Sequence, residues 1–452
     1  MYLCAYVRRL EVSPMRTSLV KVALAATSVL VLASCAMPAD DPNFNATAKA
    51  FDEEASAEAS QAAVEAEALD TAFLAPEGIG VDAPLKSAPE KGAVIVSITD
   101  GSAYDAVFQT SLAEAADALG WTVETVTADY TDPAAAATAM TEAIGKKPAG
   151  IHITGAFAAA AADVIPDAES ANIPVVCTGC SGEPSGGITN TTLDGTEQNQ
   201  AWADVLATYV VQNQYEGEDA GVQVFAIPGG AVADFNLQFS TKLLEKCRNC
   251  SASESVVDPT MVDMADPVAV ATFVTGEMSM SLGAWALLDS GAQSEGVADM
   301  LATDPTLLSP IVLIGRGAAA NDIAALQALN GAGVAPGATD ASASAAPTEA
   351  TAETPSAAAA EGATEAAADM GGRTPEESAA LQAWIGISQP ILAWRVIDQF
   401  ARIIGGEEPS VGPIPSQILT GANIGEAVLD DSGNYLGVAD YQDQFKTLWG
   451  VK

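Results

Sequence analysis

The sequence predicts an α/β protein of two doubly wound parallel-sheet domains. Three observations carry this. Short β-branched runs that do not alternate with polar residues recur along the chain, as strands buried on both faces require. Each is followed by a helix-forming stretch, in units of about 25–30 residues, which is the rhythm of βα repeats. The rhythm then restarts after Asp194, which implies a second domain of the same kind.

The first repeat opens with AVIVSI at 93–98, a short apolar run suited to a buried strand. Apolar residues at helical spacing follow over 103–120 and stop at Gly120, a C-cap signal. WTVETV at 121–126 alternates as a strand. Asp132 is placed as N-cap, with Pro133 in the first turn, for a helix over 132–147. AGIHIT at 149–154 is a strand, 157–172 mostly helix, and IPVVCT at 173–178 a strand.

The second repeat reads helix at 197–214, strand at 221–227, helix at 234–247 and strand at 251–258. It continues as helix at 266–278, strand at 284–289, helix at 292–301 and strand at 310–315. Residues 331–375 break the pattern: 17 of these 45 residues are Ala and none is aromatic. So little bulky apolar surface cannot offset ordering entropy, which predicts a disordered insertion on a surface loop. Helical composition returns over 376–407, interrupted near Ser388, Gln389 and Pro390.

The N-terminus sets the compartment. Arg16 and Lys21 precede an apolar run from Val22 to Leu32, which ends in Ala33, Ser34 and Cys35. The run is too short to span a bilayer, which needs about 20 residues, but it suits an export signal. It resembles a bacterial lipoprotein signal, which implies cleavage before Cys35, lipidation of Cys35 and anchoring on the outer side of the cell membrane. Residues 1–14 read as an upstream start. Residues 36–90 are expected to form an acidic, Ala-rich, partly helical stalk followed by extended linker.

The formal net charge is −41, and the leader removes Arg8, Arg9, Arg16 and Lys21 against only Glu11. Such a surface repels nucleic acid and anionic headgroups, so nucleic-acid partners are not expected and a membrane link must come from the lipid. Enzyme signatures are absent: there is no GxSxG, no GxGxxG after a strand and no phosphate-binding GxxxxGK[ST]. His152 is the single histidine, so no zinc hydrolase motif exists, and Ile151 and Ile153 point to the opposite face of its strand. No catalytic residue, metal or cofactor is expected. Two CxxC pairs, Cys177 with Cys180 and Cys247 with Cys250, leave three chemistries open: a four-thiolate zinc site, a redox dithiol, or two disulfides.

Several segments in chain order resemble the type I periplasmic binding proteins, the sugar-type solute-binding components of ABC importers. AVIVSITDGSAYDAVFQTSLAEAADALGWTV resembles the family's opening strand, aromatic-bearing loop and first helix. IPVVCTGCSGEPSGGI sits where a fourth strand enters a cleft. TTLDGTEQNQAWADVLATYV resembles the first crossing into the second domain, ALLDSGA an Asp-bearing loop there, and AWIGISQPILAWRVIDQFARIIGGE the late strand with its cleft Gln and following helix. The resemblance implies the type I fold, with a ligand cleft between two domains. It implies 92–194 plus 317–410 for the N-terminal domain and 195–316 plus 411–452 for the C-terminal one, after a 1–34 signal and a 35–91 stalk.

The resemblance further implies a monomer that captures a small polar, sugar-like ligand by hinge closure and delivers it to an ABC permease. A ligand-sensing lipoprotein using the same fold is the alternative. Ligands bind at the carboxyl ends of strands in open α/β sheets. This selects Asp100, Ser102 and Tyr104 after the first strand, Phe157 after the third and Glu183 after the fourth. It selects Phe235, Asn236, Asp289 and Arg316 in the second domain, and Gln389 at the late crossing. Arg316 stands where ribose-type members keep a carboxylate, and TGC where they keep an Asp-Arg pair, which disfavours a simple pentose and suggests a substituted, phosphorylated or carboxylated polar ligand. On this fold Cys177–Cys180 and Cys247–Cys250 lie apart and away from helix N-termini. That disfavours zinc and redox chemistry, predicts two local disulfides, and places the first as a staple facing the cleft.

Overall fold

The computed structural model of the chain describes residues 60–101, 103–214, 220–226, 230–258, 261–262, 266–280, 284–288, 297, 311–329, 378 and 380–452. The leader, Cys35, the 331–375 insertion and the helix expected over 292–301, apart from residue 297, lie outside them. The chain divides into two units, residues 1–71 and 72–452. A helix over 60–72 covers the described part of the first. The second unit contains two sheets.

The first sheet is built from β1 (Val94–Thr99), β2 (Thr122–Thr127), β3 (Gly150–Thr154), β4 (Val175–Thr178) and β5 (Asn190–Leu193), in the order β2-β1-β3-β4-β5 and parallel throughout. Its crossover helices are α1 (Ala103–Ala118), α2 (Pro133–Gly145), α3 (Gly155–Ala160) and α4 (Pro166–Ser170). The Asp132 carboxylate accepts the Ala134 N–H at 2.9 Å and caps α2, with Pro133 in its first turn, as expected.

The two faces of this sheet differ. Val96, Ile98, Ile151, Ile153, Val175 and Cys177 pack against α2 and α3 in one apolar core. The opposite face carries a buried polar seam. Ser97 Oγ lies 3.0 Å from His152 Nδ1, and His152 Nε2 lies 3.1 Å from Thr178 Oγ1, with Phe108 of α1 stacked on the imidazole at 4.9 Å. Burial pushes the His152 pKa down to about 3, so the ring is neutral.

The chain crosses at Asp194 into α5 (Thr196–Gln212) and the second sheet. This sheet holds β6 (Gly221–Ala226), β7 (Ser251–Val256), β8 (Trp285–Leu288), β9 (Val312–Arg316), β10 (Ala383–Ile387) and β11 (Ser416–Thr420), in the order β11-β10-β9-β8-β6-β7. All pairs are parallel except β10 with β11. Its helices are α6 (Gly230–Lys246), α7 (Pro267–Met280) and α8 (Ala320–Leu329); α9 (Gln389–Ile404) and α10 (Tyr441–Trp449) complete the chain. The type I architecture is therefore present: two α/β lobes, each on its own sheet.

Strand pairing redraws the expected division. Residues 383–387 read as helix by composition and as the late strand by resemblance, and they form a strand, β10, buried throughout and paired with β9. This segment was expected in the N-terminal domain and belongs to the second sheet. Among the described residues of 317–410, α9 is the element that returns to the first lobe, where it packs on α1, β4 and β5. Conversely α10, expected in the C-terminal domain, stacks on α9: Trp449 lies parallel to Trp394 at 5.3 Å. Apolar contact decided these placements, and repeat counting cannot see it.

The expected extended linker is also packed. Arg395 of α9 donates to the carbonyls of Ile79, Gly412 and Pro413, and Arg402 to that of Ala83. The Leu85 N–H reaches the Leu448 carbonyl at 2.9 Å, and Trp121 Nε1 reaches the Glu90 carbonyl at 2.7 Å. Residues 79–90 are thus a strap over α9 and α10. Gly80, at φ +77°, lies so close to Pro413 that an added Cβ would sit 2.0 Å from the Pro413 oxygen.

Candidate functional site

Four strands of the first sheet end in Thr99, Thr127, Thr154 and Thr178. Around these carboxyl ends the polar groups converge. Thr99 Oγ1 donates to Asp105 Oδ2 and accepts the Gly101 N–H at 2.9 Å, while Gln109 Nε2 donates to the same carboxylate oxygen at 3.2 Å. Burial, reinforced by the charge of Asp100, raises the Asp105 pKa above the usual carboxylate value, although the Thr99 hydrogen bond opposes this. Tyr130 donates to the Ile98 carbonyl at 3.2 Å and meets Phe157 edge-on at 5.6 Å. Its phenol is pushed upward by burial and by the charges of Asp100 and Asp105.

The expected first-lobe residues fall at different depths. Asp100 is exposed beside this cluster, and Glu183 is exposed in the loop after β4. Phe157 is fully buried in the first-lobe core, which leaves its ring no solvent face for a ligand. Tyr104 lies in the first turn of α1, and Ser102 lies outside the described residues. Both CxxC pairs are disulfides, with Cα separations of 5.8 and 5.3 Å. Cys177 and Cys180 are part of the first-lobe core, so this bridge braces the end of β4 from within. The staple expected to face the cleft is buried because Cys177 points to the apolar face of its strand.

On the second lobe α6 carries the expected Phe235 and Asn236. Phe235 is fully buried. Asn236 is 1% exposed, yet neither Oδ1 nor Nδ2 has a hydrogen-bond partner, and Asp234 Oδ2 close by is also buried and unpartnered. Buried polar groups are almost always satisfied, so these atoms have hydrogen-bonding capacity left for water or a ligand. α3, which follows β3 of the first lobe, packs against α6, so this helix lies where the two lobes meet. Gln389 is the half-buried first residue of α9, where the chain returns from β10 to the first lobe. Asp289 lies outside the described residues.

Arg316 closes β9 at the carboxyl end of the second sheet. Its Nη2 pairs with Asp194, the residue that follows β5 of the first sheet. Its guanidinium lies 5.3 Å from the ring centroid of Trp202 on α5, and Trp202 Nε1 is itself held by Ser416 Oγ at 2.8 Å. Asp194 is in the left-handed region at φ +58°, and its carbonyl lies 3.4 Å from Asn199 Nδ2. Sequence reading missed Asp105, Tyr130, Asp194, Asn199 and Trp202. Asp194 and Trp202 belong to the crossing segment TTLDGTEQNQAWADVLATYV, but nothing local ties them to a strand end that lies 122 residues beyond Asp194.

Residues 92–272 match the family model of a periplasmic binding protein domain. The fold is similar to that of an ABC sugar transporter subunit from Rhodobacter sphaeroides 2.4.1, at TM-score 0.52 and 14% identity over 73% of this chain and 98% of that one. It is similar to GanP, a glucose-galactose binding protein from Geobacillus stearothermophilus, at TM-score 0.50 and 13% identity over 74% and 99%. A carbohydrate transporter solute binding protein from Agrobacterium radiobacter, in complex with D-arabinose, matches at TM-score 0.50 and 15% identity over 74% and 96%. No curated protein sequence matches the chain.

Proposed function

We propose that this chain, which has the type I periplasmic binding protein fold and a periplasmic binding protein domain over residues 92–272, is an extracytoplasmic solute-binding lipoprotein of an ABC importer. It captures a small polyhydroxylated ligand between its lobes and releases it to a membrane permease. One observation carries the reading. Asp234 Oδ2 and both polar atoms of Asn236 are buried and unpartnered among the described residues, on a helix that packs against α3 of the first lobe. A ligand hydroxyl can donate to the carboxylate and exchange hydrogen bonds with the amide. Asp100 and Asp105 supply acceptors from the opposite lobe, and Gln389 an amide at a crossing.

Three solved proteins of similar fold are named as sugar binders or sugar transporter components, which supports a sugar-like ligand. Repeated chain crossings between the lobes suit hinge motion, in which ligand contacts to both lobes favour the closed form. The lipid on Cys35 would hold the protein at the outer face of the membrane, beside its permease.

A thermal-shift panel of pentoses, hexoses and polyols tests the binding. A ligand at 100 times its dissociation constant adds about 2.7 kcal/mol of stability, a shift of several degrees. A panel with no shift would remove the reading. Incorporation of labelled fatty acid in the wild type and its loss in Cys35→Ala tests the anchor.

A further inference from the structure

We infer that Asp194 is a specificity-determining residue: by neutralising Arg316 in place, it makes the cleft select uncharged polyhydroxylated ligands and refuse sugar acids and sugar phosphates. This rests on the proposed binding function and names the charge class of its ligand. It reverses the expectation that Arg316 grips an anion.

The geometry carries the argument. Arg316 ends a strand of the second sheet, and Asp194 follows a strand of the first, so their ion pair joins the two lobes at the carboxyl ends where ligands of this fold class are held. Both side chains are 11% exposed. An anion at this guanidinium would sit beside the Asp194 carboxylate that already accepts from Nη2, so what it gains from the cation is offset by like-charge repulsion at a site largely withdrawn from water. The surroundings set both partners in place: Trp202 lies under the guanidinium and is tied to Ser416, and the left-handed Asp194 backbone meets Asn199 Nδ2 at its carbonyl.

The remaining charges around the strand ends and α6 point the same way. Asp100 and Asp105 are acidic on the first lobe, and Asp234 is acidic on the second. With the Arg316 charge countered by Asp194, an incoming carboxylate or phosphate meets Asp100, Asp105 and Asp234 as like charges among the described residues, whereas hydroxyls meet acceptors. Arg316 then acts as a positioning residue that clasps the lobes.

The test uses the purified full chain, its Asp194→Asn variant, and the Asp194→Asn/Arg316→Gln double variant. Asn tolerates the left-handed backbone, so the single variant removes charge while keeping the crossing intact. Titration calorimetry and thermal shift are run with D-glucose, D-galactose and D-arabinose against D-gluconate, D-glucuronate and D-glucose 6-phosphate. The wild type is expected to bind a neutral sugar at least about 100-fold more tightly than its acid or phosphate. Asp194→Asn should narrow that ratio at least about tenfold by exposing an uncompensated Arg316, and the double variant should restore discrimination. Comparable binding of neutral and anionic sugars by the wild type overturns the inference and leaves the binding function standing. So does a folded Asp194→Asn variant whose discrimination is unchanged. If the single variant does not fold, loss of discrimination in the folded double variant overturns it, and retention supports it. No binding of either class overturns both.

Discussion

Trp449 Nε1 donates to Asp398 Oδ1 at 3.0 Å, so the last helix is held by a carboxylate 51 residues earlier on α9. The same carboxylate accepts Arg402 Nε at 2.9 Å and the Ser410 hydroxyl at 2.9 Å, and it is fully buried. Removing it strands a buried cation and an indole N–H together. Asp398→Ala should cost about 3–5 kcal/mol, read as a lower urea midpoint, because an unpaired buried charge is far worse than none. Asp398→Asn should recover part of the loss, since it still offers an acceptor to Trp449. A loss below about 1 kcal/mol in Asp398→Ala would show that the network does not hold the fold.

His152 gives the protein a pH dependence of known sign. Its folded pKa, about 3, lies below the ordinary value of 6.5, so between these pH values only the unfolded chain binds the proton. Stability therefore falls by about 1.4 kcal/mol for each pH unit as pH drops from 6.5 toward 3, and is unaffected by this group above 6.5. Asp105 titrates with the opposite sign, because its folded pKa is raised and acid relieves its buried charge. Comparison of wild type with His152→Gln isolates the histidine: the variant should lose stability less steeply between about pH 6 and pH 4. Equal slopes would mean that the ring charges in the folded state.

The two disulfides should differ in reactivity. Cys177 and Cys180 are both buried, whereas Cys247 is partly exposed at the end of α6. Mild reductant followed by alkylation and mass spectrometry should label Cys247 and Cys250 first. Each bridge closes a short loop, worth about 2 kcal/mol in the chain-entropy account, so a Cys247→Ala/Cys250→Ala variant should remain folded with a modestly lower midpoint. Simultaneous labelling of all four thiols would contradict the packed environment of the first bridge.

Asn236 and Phe235 are adjacent and both buried, but they should behave oppositely. Phe235→Ala should cost about 3–5 kcal/mol through the cavity it leaves. Asn236→Ala removes an amide without a hydrogen-bond partner among the described residues, so stability should stay within about 0.5 kcal/mol while affinity for any sugar that shifts the wild type in the thermal panel weakens at least about tenfold. Loss of stability with unchanged affinity would make Asn236 a structural residue.

Much of the fold was legible in the sequence. Buried parallel strands announce themselves by runs such as AVIVSI, and helices by caps such as Asp132 with Pro133, because these signals are local. The 383–387 segment was harder, since a short apolar run fits a strand or a buried helix equally well. Its pairing with β9 settles the matter, and that partner lies far upstream in the chain. Counting strand ends does put Asp100 after β1 and Arg316 at the end of β9, while a ligand role for them, for Asn236 and for Gln389 belongs to the proposal. Phe157 fell into the core because a residue just past a strand can turn toward either face.

The sequence by itself determined the class of the protein: repeated βα units make two sheets that are parallel apart from the β10–β11 pair, and the restart of the repeat marks two lobes. It also determined that the four cysteines beyond Cys35 form two close pairs. Only the tertiary structure decided what the charges do. Whether Arg316 grips a ligand or a neighbour depends on Asp194, which the chain brings to it from the other sheet. Whether 79–90 is a loose linker or a strap depends on Arg395 and Arg402 inside α9. Periodicity records which face of an element is buried, but electrostatic partners are chosen by distance in space, and that is set only when the sheets have closed.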